Sequence, residues 1–133
     1  MAVQLSVAAR NARLDQIETT IGVSARLKLF VGTQPANCAA ADSGALLADM
    51  TLPSDYFTAA AAGVLVKLGT WEDTSADNPG TAGHFRMYES TATTCHIQGS
   101  VGQGSGDLSL DNTTIAAGQT VTITQFDLTD GNA

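Results

Sequence analysis

Gly83-His-Phe-Arg-Met-Tyr88, Cys95-His-Ile-Gln-Gly-Ser-Val101, Asp107-Leu-Ser-Leu-Asp111 and Thr120-Val-Thr-Ile-Thr124 share one pattern: apolar residues recur at every second position. A period of two sends alternate side chains to opposite faces, so each run reads as a half-buried β-strand. The separators Gly102-Gln-Gly-Ser-Gly106 and Ala116-Ala-Gly-Gln119 have turn composition. The first of them reads as a hairpin loop, since it lacks the lysine of a phosphate-binding loop and precedes no helix. Short strands with turns between them predict a mainly β fold, an antiparallel β-sandwich or a jelly-roll-like barrel. The last strand changes phase, with Val121 and Ile123 in one register and Phe126 and Leu128 in the other. A bulge near Thr124 or Gln125 keeps all four inside; cover on both faces is the alternative.

Upstream, Val3, Val7, Leu14, Ile17 and Ile21 fall at helical spacing, with Arg10 filling the gap in the stripe. They predict an N-terminal α-helix over 3–21, capped by Gly22. Gln4, Asn11, Asp15 and Glu18 form its polar side. Two placements are open, on the domain's own sheet or as an arm on a neighbouring subunit. The chain thus divides into a helical arm, 1–22, and a β-sandwich domain, 23–133. Strands follow over 25–31, 45–52 and 64–68, the last with Val64, Val66 and Leu68 in phase. Gly32 to Gly44 is a long loop, a length that hints at contact. The stretch 53–63 reads as a short helical turn or loop anchored by Tyr56 and Phe57. Glu72 to Gly83 reads as an exposed acidic loop, and about eight strands are expected in all.

The 133 residues favour one domain. The net charge of −7 leaves no basic footprint for phosphates, so neither nucleic acid nor an anionic membrane is an expected partner. Charged residues make up only 14%, which suits a surface that becomes interface. No signal peptide is visible, so the chain is expected in a reducing cytoplasm unless it leaves by a route such as lysis.

Candidate chemistry is thin, and no catalytic residue, cofactor or metal is assigned. Cys38, Cys95, His84 and His96 lack paired zinc-ligand spacing. Cys95, in phase with Ile97, reads as a small buried hydrophobe, and a Cys38–Cys95 disulfide is possible but not demanded. His84 reads as an exposed loop histidine. Asp107, Asp111 and Asn112 lack the spacing of a calcium loop. Trp71, Tyr56 and Tyr88 read as core or rim, with a sugar-stacking platform as the functional alternative.

Leu5-Ser-Val-Ala-Ala-Arg-Asn-Ala-Arg-Leu-Asp-Gln-Ile-Glu18, Pro35-Ala-Asn-Cys-Ala-Ala-Ala-Asp42, Met50-Thr-Leu-Pro-Ser-Asp55, Thr81-Ala-Gly-His-Phe-Arg-Met-Tyr88 and Leu110 through Thr124 resemble a small protein of tailed bacteriophages and prophages. The likeness spans nearly the whole chain. Such proteins are similar to the cement or decoration proteins on the outside of icosahedral heads. The resemblance implies a non-enzymatic virion protein on the capsid surface, made in the host bacterial cytoplasm. Its implied partners are the major capsid protein and itself, as a dimer or trimer. Val7, Arg10, Leu14, Ile17, Pro35, Asn37 and Tyr56 are then the expected interface residues. A tail or neck ring component and a carbohydrate-binding surface module are the rival readings.

Overall fold

The computed structural model describes residues 3–131. Among them one helix, α1 (Val7–Ile21), precedes nine strands. These are β1 (Arg26–Val31), β2 (Leu46–Thr51), β3 (Val64–Val66), β4 (Glu72–Asp73), β5 (Gly80–Tyr88), β6 (Cys95–Gly102), β7 (Leu108–Leu110), β8 (Thr114–Ile115) and β9 (Val121–Thr129). The ladder runs β2-β1-β5-β6-β7-β9-β3, with β4 also on β9 and β8 on β5. The sheet curls strongly into a half-barrel. Its far side returns to its start, because Asp77 N–H donates to Leu47 O at 2.8 Å and Asp49 N–H to Asp73 Oδ2 at 3.1 Å. The mainly β architecture with an N-terminal helix is thus the one the alternation predicts.

The concave face holds the core. Leu27, Leu29, Met50, Phe85, Met87 and Ile123 point into it and are buried. An aromatic cluster fills one end: Phe126 lies 5.8 Å from Trp71, 6.0 Å from Phe57 and 5.3 Å from Phe85, ring centre to ring centre. Tilted and edge-on rings at these distances are favourable beyond the area they bury. Trp71, Tyr56 and Tyr88 are all interior, which removes the sugar-stacking platform.

β9 carries the expected bulge. Ser109 stands opposite Gln125 but Leu110 opposite Ile123, so Thr124 is the extra residue. The phase change lets Val121, Ile123 and Phe126 all face inward.

Several expectations are corrected. The helix begins at Val7, not residue 3, because the Ser6 hydroxyl accepts from Ala9 N–H at 3.1 Å and caps it there. Val3 precedes the helix and Val7 opens it, so both lie exposed, although Val7 shares the stripe of Leu14 and Ile21. In β3 the buried residue is Leu65, while Val66 and Leu68 face out, because register with β9 places Leu65 opposite Leu128. Glu72 to Gly83 is not all loop: β4 pairs with β9, Ala76 is buried, and β5 starts at Gly80. The Gly102–Gly106 stretch is not a hairpin, since β6 and β7 pair in parallel. Parallel neighbours ordinarily need a long crossover. Here β7 is three residues long and pairs only with the last two of β6, so a glycine-rich link suffices. Gly104 and Gly106 have φ of 69° and 79°, a backbone open to glycine at little cost.

Helix α1 packs against its own chain. Leu14 and Ile21 enter the core, and the polar side is engaged as well. Asn11 Oδ1 accepts from Gly63 N–H at 2.9 Å, Asp15 Oδ1 from Ala60 N–H at 2.8 Å and Glu18 Oε1 from Tyr56 N–H at 3.0 Å. Positions 11, 15 and 18 lie on one helix face, so they run like a rail along the segment that borders β3.

Candidate partner interface: a clasped loop on the outer sheet face

On β5 the residues between the core positions are His84, Arg86 and Tyr88, and all three are buried. They face away from the core, so something covers the convex side. That cover is the loop between β1 and β2, residues 32–45. It folds back over β5 and β6 and is held at every turn. His84 Nδ1 meets Gly32 O at 2.8 Å, and since a carbonyl only accepts, the proton sits on Nδ1. The His84 ring stacks on Phe30 at 5.1 Å. Gly83 lies so close beneath Gly32 that a Cβ there would meet Gly32 O at 2.2 Å. Gln98 Nε2 donates to Pro35 O at 2.7 Å.

Arg86 is the centre of the clasp. It is 1% exposed. Its Nη2 donates to Cys38 O at 3.0 Å and Ala40 O at 2.9 Å, and its Nη1 donates to the Asp42 carboxylate. The Tyr88 hydroxyl donates to the same Asp42 oxygen. Burial, and then the hydrogen bond to Asp42, push the Tyr88 phenol far above its ordinary range, so it remains a donor. A planar guanidinium suits this task because its fork reaches several acceptors at once. Cys38 and Cys95 complete the clasp as a disulfide with Cα atoms 5.1 Å apart. Cys95 is thus not a core hydrophobe. A register shift after Met87 sets it opposite Tyr88, on the loop side.

The turn before Cys95 is itself built by one carboxylate. Glu89 accepts from Thr91 Oγ1 at 2.6 Å, Thr93 N–H at 2.7 Å and Thr94 N–H at 2.9 Å. Hydrogen bonds from Thr91 and Thr93 hold the Glu89 carboxyl well below the usual carboxylate range.

The expected interface residues divide between two places. Pro35 and Asn37 lie in the clasped loop. The Asn37 side chain accepts from Ala39 and Ala40 N–H at 2.9 and 3.1 Å and shapes the turn that presents Cys38. Val7, Arg10, Leu14 and Ile17 lie on the helix, apart from the loop. Val7 is 47% exposed and Ile17 half-buried, whereas Arg10 donates to Asp130 O at 3.1 Å. Leu14 and Tyr56 are corrected to core residues. Leu14 is 4% exposed; Tyr56 is fully covered and its hydroxyl donates to Gly22 O at 3.0 Å. The exposed loop histidine is corrected too, since His84 is buried under Gly32.

Sequence reasoning missed Arg86, Asp42, Tyr88 and Gln98. His84, Arg86 and Tyr88 have the alternation of an ordinary solvated strand face, and the one available signal was the length of the loop between β1 and β2. Asp42 is the only charge in the loop, and Arg86 neutralises it. What the loop shows outward is therefore small and neutral: Thr33, Gln34, Ala36 and Ala39 are exposed. The candidate calcium residues are otherwise engaged: Asp107 accepts from Ser100 N–H at 2.8 Å, and Asp111 and Asn112 shape their own turn. No protein-family model, curated protein or solved structure matches the chain.

Proposed function

We propose that this chain is a virion structural protein, a cement or decoration protein that binds the outside of a phage head and stabilises contacts between major capsid subunits. Beside the sequence resemblance, the observation that carries this reading is the clasp. A neutral loop is fixed to the sheet by a buried arginine, a carboxylate and a disulfide. A loop fixed in that way meets a partner with little conformational entropy left to lose. The low charge of the chain suits a surface that becomes interface, and its acidity does not compete for packaged DNA. Self-association into a closed dimer or trimer goes with the reading, as does synthesis in the host cytoplasm.

The test mixes purified protein with heads that lack it and follows co-sedimentation, then cryo-EM. The expected result is saturable binding with density across the joints between capsid subunits. Ala36→Lys with Ala39→Lys should abolish binding and leave thermal unfolding unchanged. Density only at the neck or tail would sink the reading in favour of a ring component.

A further inference from the structure

The half-barrel has a missing strand. β7 lies between β6 and β9, but it spans only Leu108–Leu110. β6 begins at Cys95 and meets β7 only at Val101 and Gly102. β9 continues to Thr129, beyond its pairing with Leu108 at Phe126. The line of β7, extended backward past Asp107, therefore runs between Ile97–Gly99 on one side and Leu128–Asp130 on the other. Among the described residues no strand occupies that line. At its upper end β7 fills the space between β6 and β9 with a single strand.

Both borders present backbone groups to the gap. Ser100 N–H turns away from β5 and bonds Asp107 Oδ2 at 2.8 Å. Alternation in an antiparallel ladder then turns the Gln98 N–H and C=O the same way, into the gap. On β9, Phe126 O accepts from Lys67 N–H at 3.0 Å and Asp130 N–H donates to Gly63 O at 2.9 Å, both toward the β3 side. The intervening Asp127 and Thr129 therefore direct their N–H and C=O groups toward the β7 line, Asp127 at its upper lip level with Asp107 and Thr129 below it level with Gln98. A cavity of about 570 Å³ occupies the space. Phe85, Ile97, Phe126 and Leu128 line its inner side, Asp107 and Asp127 stand on its rim, and the basic Arg13 nearby, beside Thr129, is paired with Asp130 at 3.3 Å.

We propose that this gap is a β-augmentation site. It takes an extended segment of another protein, three to four residues long, with apolar side chains turned inward and basic ones outward between them. Main-chain bonds to Gln98, Asp127 and Thr129 would supply affinity and the inner pocket side-chain preference. The acidic rim and the net charge of −7 select a basic segment of a different protein over a second copy of this chain. The site does not depend on the identity of the partner proposed above.

The test is amide hydrogen exchange followed by NMR on the full oxidised chain. The probe is a blocked hexapeptide of alternating lysine and valine, with the glutamate–valine peptide as its counterpart. In the free protein the Gln98, Asp127 and Thr129 amides should exchange freely. The lysine peptide should slow them at least tenfold and the glutamate peptide should not. Asp127→Lys should weaken the lysine peptide about tenfold and leave the melting temperature in place. Protection of these amides in the free, dilute protein would overturn the proposal. So would protection that rises with protein concentration alone, which would make a second copy the occupant. Equal protection by both peptides, or none by either, would also overturn it. Failure of capsid binding would leave these outcomes untouched, so the two readings fail separately.

Discussion

Arg86 is the residue on which the outer face depends. A buried guanidinium is tolerated only when its donors are matched, and here the loop supplies two carbonyls and a carboxylate as matches. Arg86→Met would leave those carbonyls without donors and Asp42 without its cation. The expected cost is about 3 kcal/mol, read as a lower denaturant midpoint. Arg86→Lys should recover little of it, because one ammonium cannot span the same acceptors. Tyr56 gives a test of sign. Burial first, and the Glu18 carboxylate second, raise its phenol from 10.0 to about 12. Between those values the unfolded chain releases the proton while the native chain keeps it. The contribution of Tyr56 is thus complete below pH 10 and lost as pH climbs toward 12. Urea midpoints measured across that window should fall more steeply for the parent than for Tyr56→Phe. The variant should also start about 1 kcal/mol lower, having lost the bond to Gly22 O.

At the scale of elements, the helix does two jobs with two faces. Leu14 and Ile21 pack into the core, while Asn11, Asp15 and Glu18 cover backbone N–H groups of the segment bordering β3. An uncovered edge invites pairing with other chains, so the rail is also protection against aggregation. Asn11→Ala and Asp15→Ala should each cost about 1 kcal/mol, while Thr20→Ala on the exposed side should stay within about 0.5 kcal/mol. Equal, negligible effects at all three positions would remove the rail from the account. These polar positions show why the sequence is only partly legible. Asn11, Asp15 and Glu18 have the spacing of a solvated face, and nothing local says that the backbone segment before β3 lies against them. Period-two alternation was enough to find β1, β2, β5, β6 and β9, because in each of them one face packs on the apolar core. A bulge near Thr124 or Gln125 was readable as well, since Val121 and Ile123 stand out of phase with Phe126 and Leu128, and the pairing with β7 sets it at Thr124. Short β4 and β8 carry no period at all, and the parallel β6–β7 pair is set by where a glycine-rich link returns. The clasp stayed hidden because it joins Arg86 to residues more than forty positions away.

For the whole molecule, the disulfide raises a question of order. Thiols remain reduced in a bacterial cytoplasm, where the proposed function has this chain made. The fold must then be reached before the bond exists. The structure offers a way: Arg86, Tyr88, Gln98 and His84 already hold the loop without it. That hold leaves Cys38 beside Cys95, with Cα atoms at 5.1 Å, inside the range a disulfide spans. Oxidation after release from the cell would then lock a clasp that is already closed. The bond ties residues 57 positions apart, and constraining an unfolded loop of that length stabilises the native state by about 4 kcal/mol. Reduced and oxidised protein should therefore show the same far-ultraviolet circular dichroism and the same cooperative unfolding. Their denaturation free energies should differ by about 4 kcal/mol. The Cys38→Ser and Cys95→Ser double variant should match the reduced form, and brief protease treatment should nick the 32–45 loop first in both. A reduced chain with no cooperative transition would instead make the disulfide a condition of folding and place folding after the cell has opened.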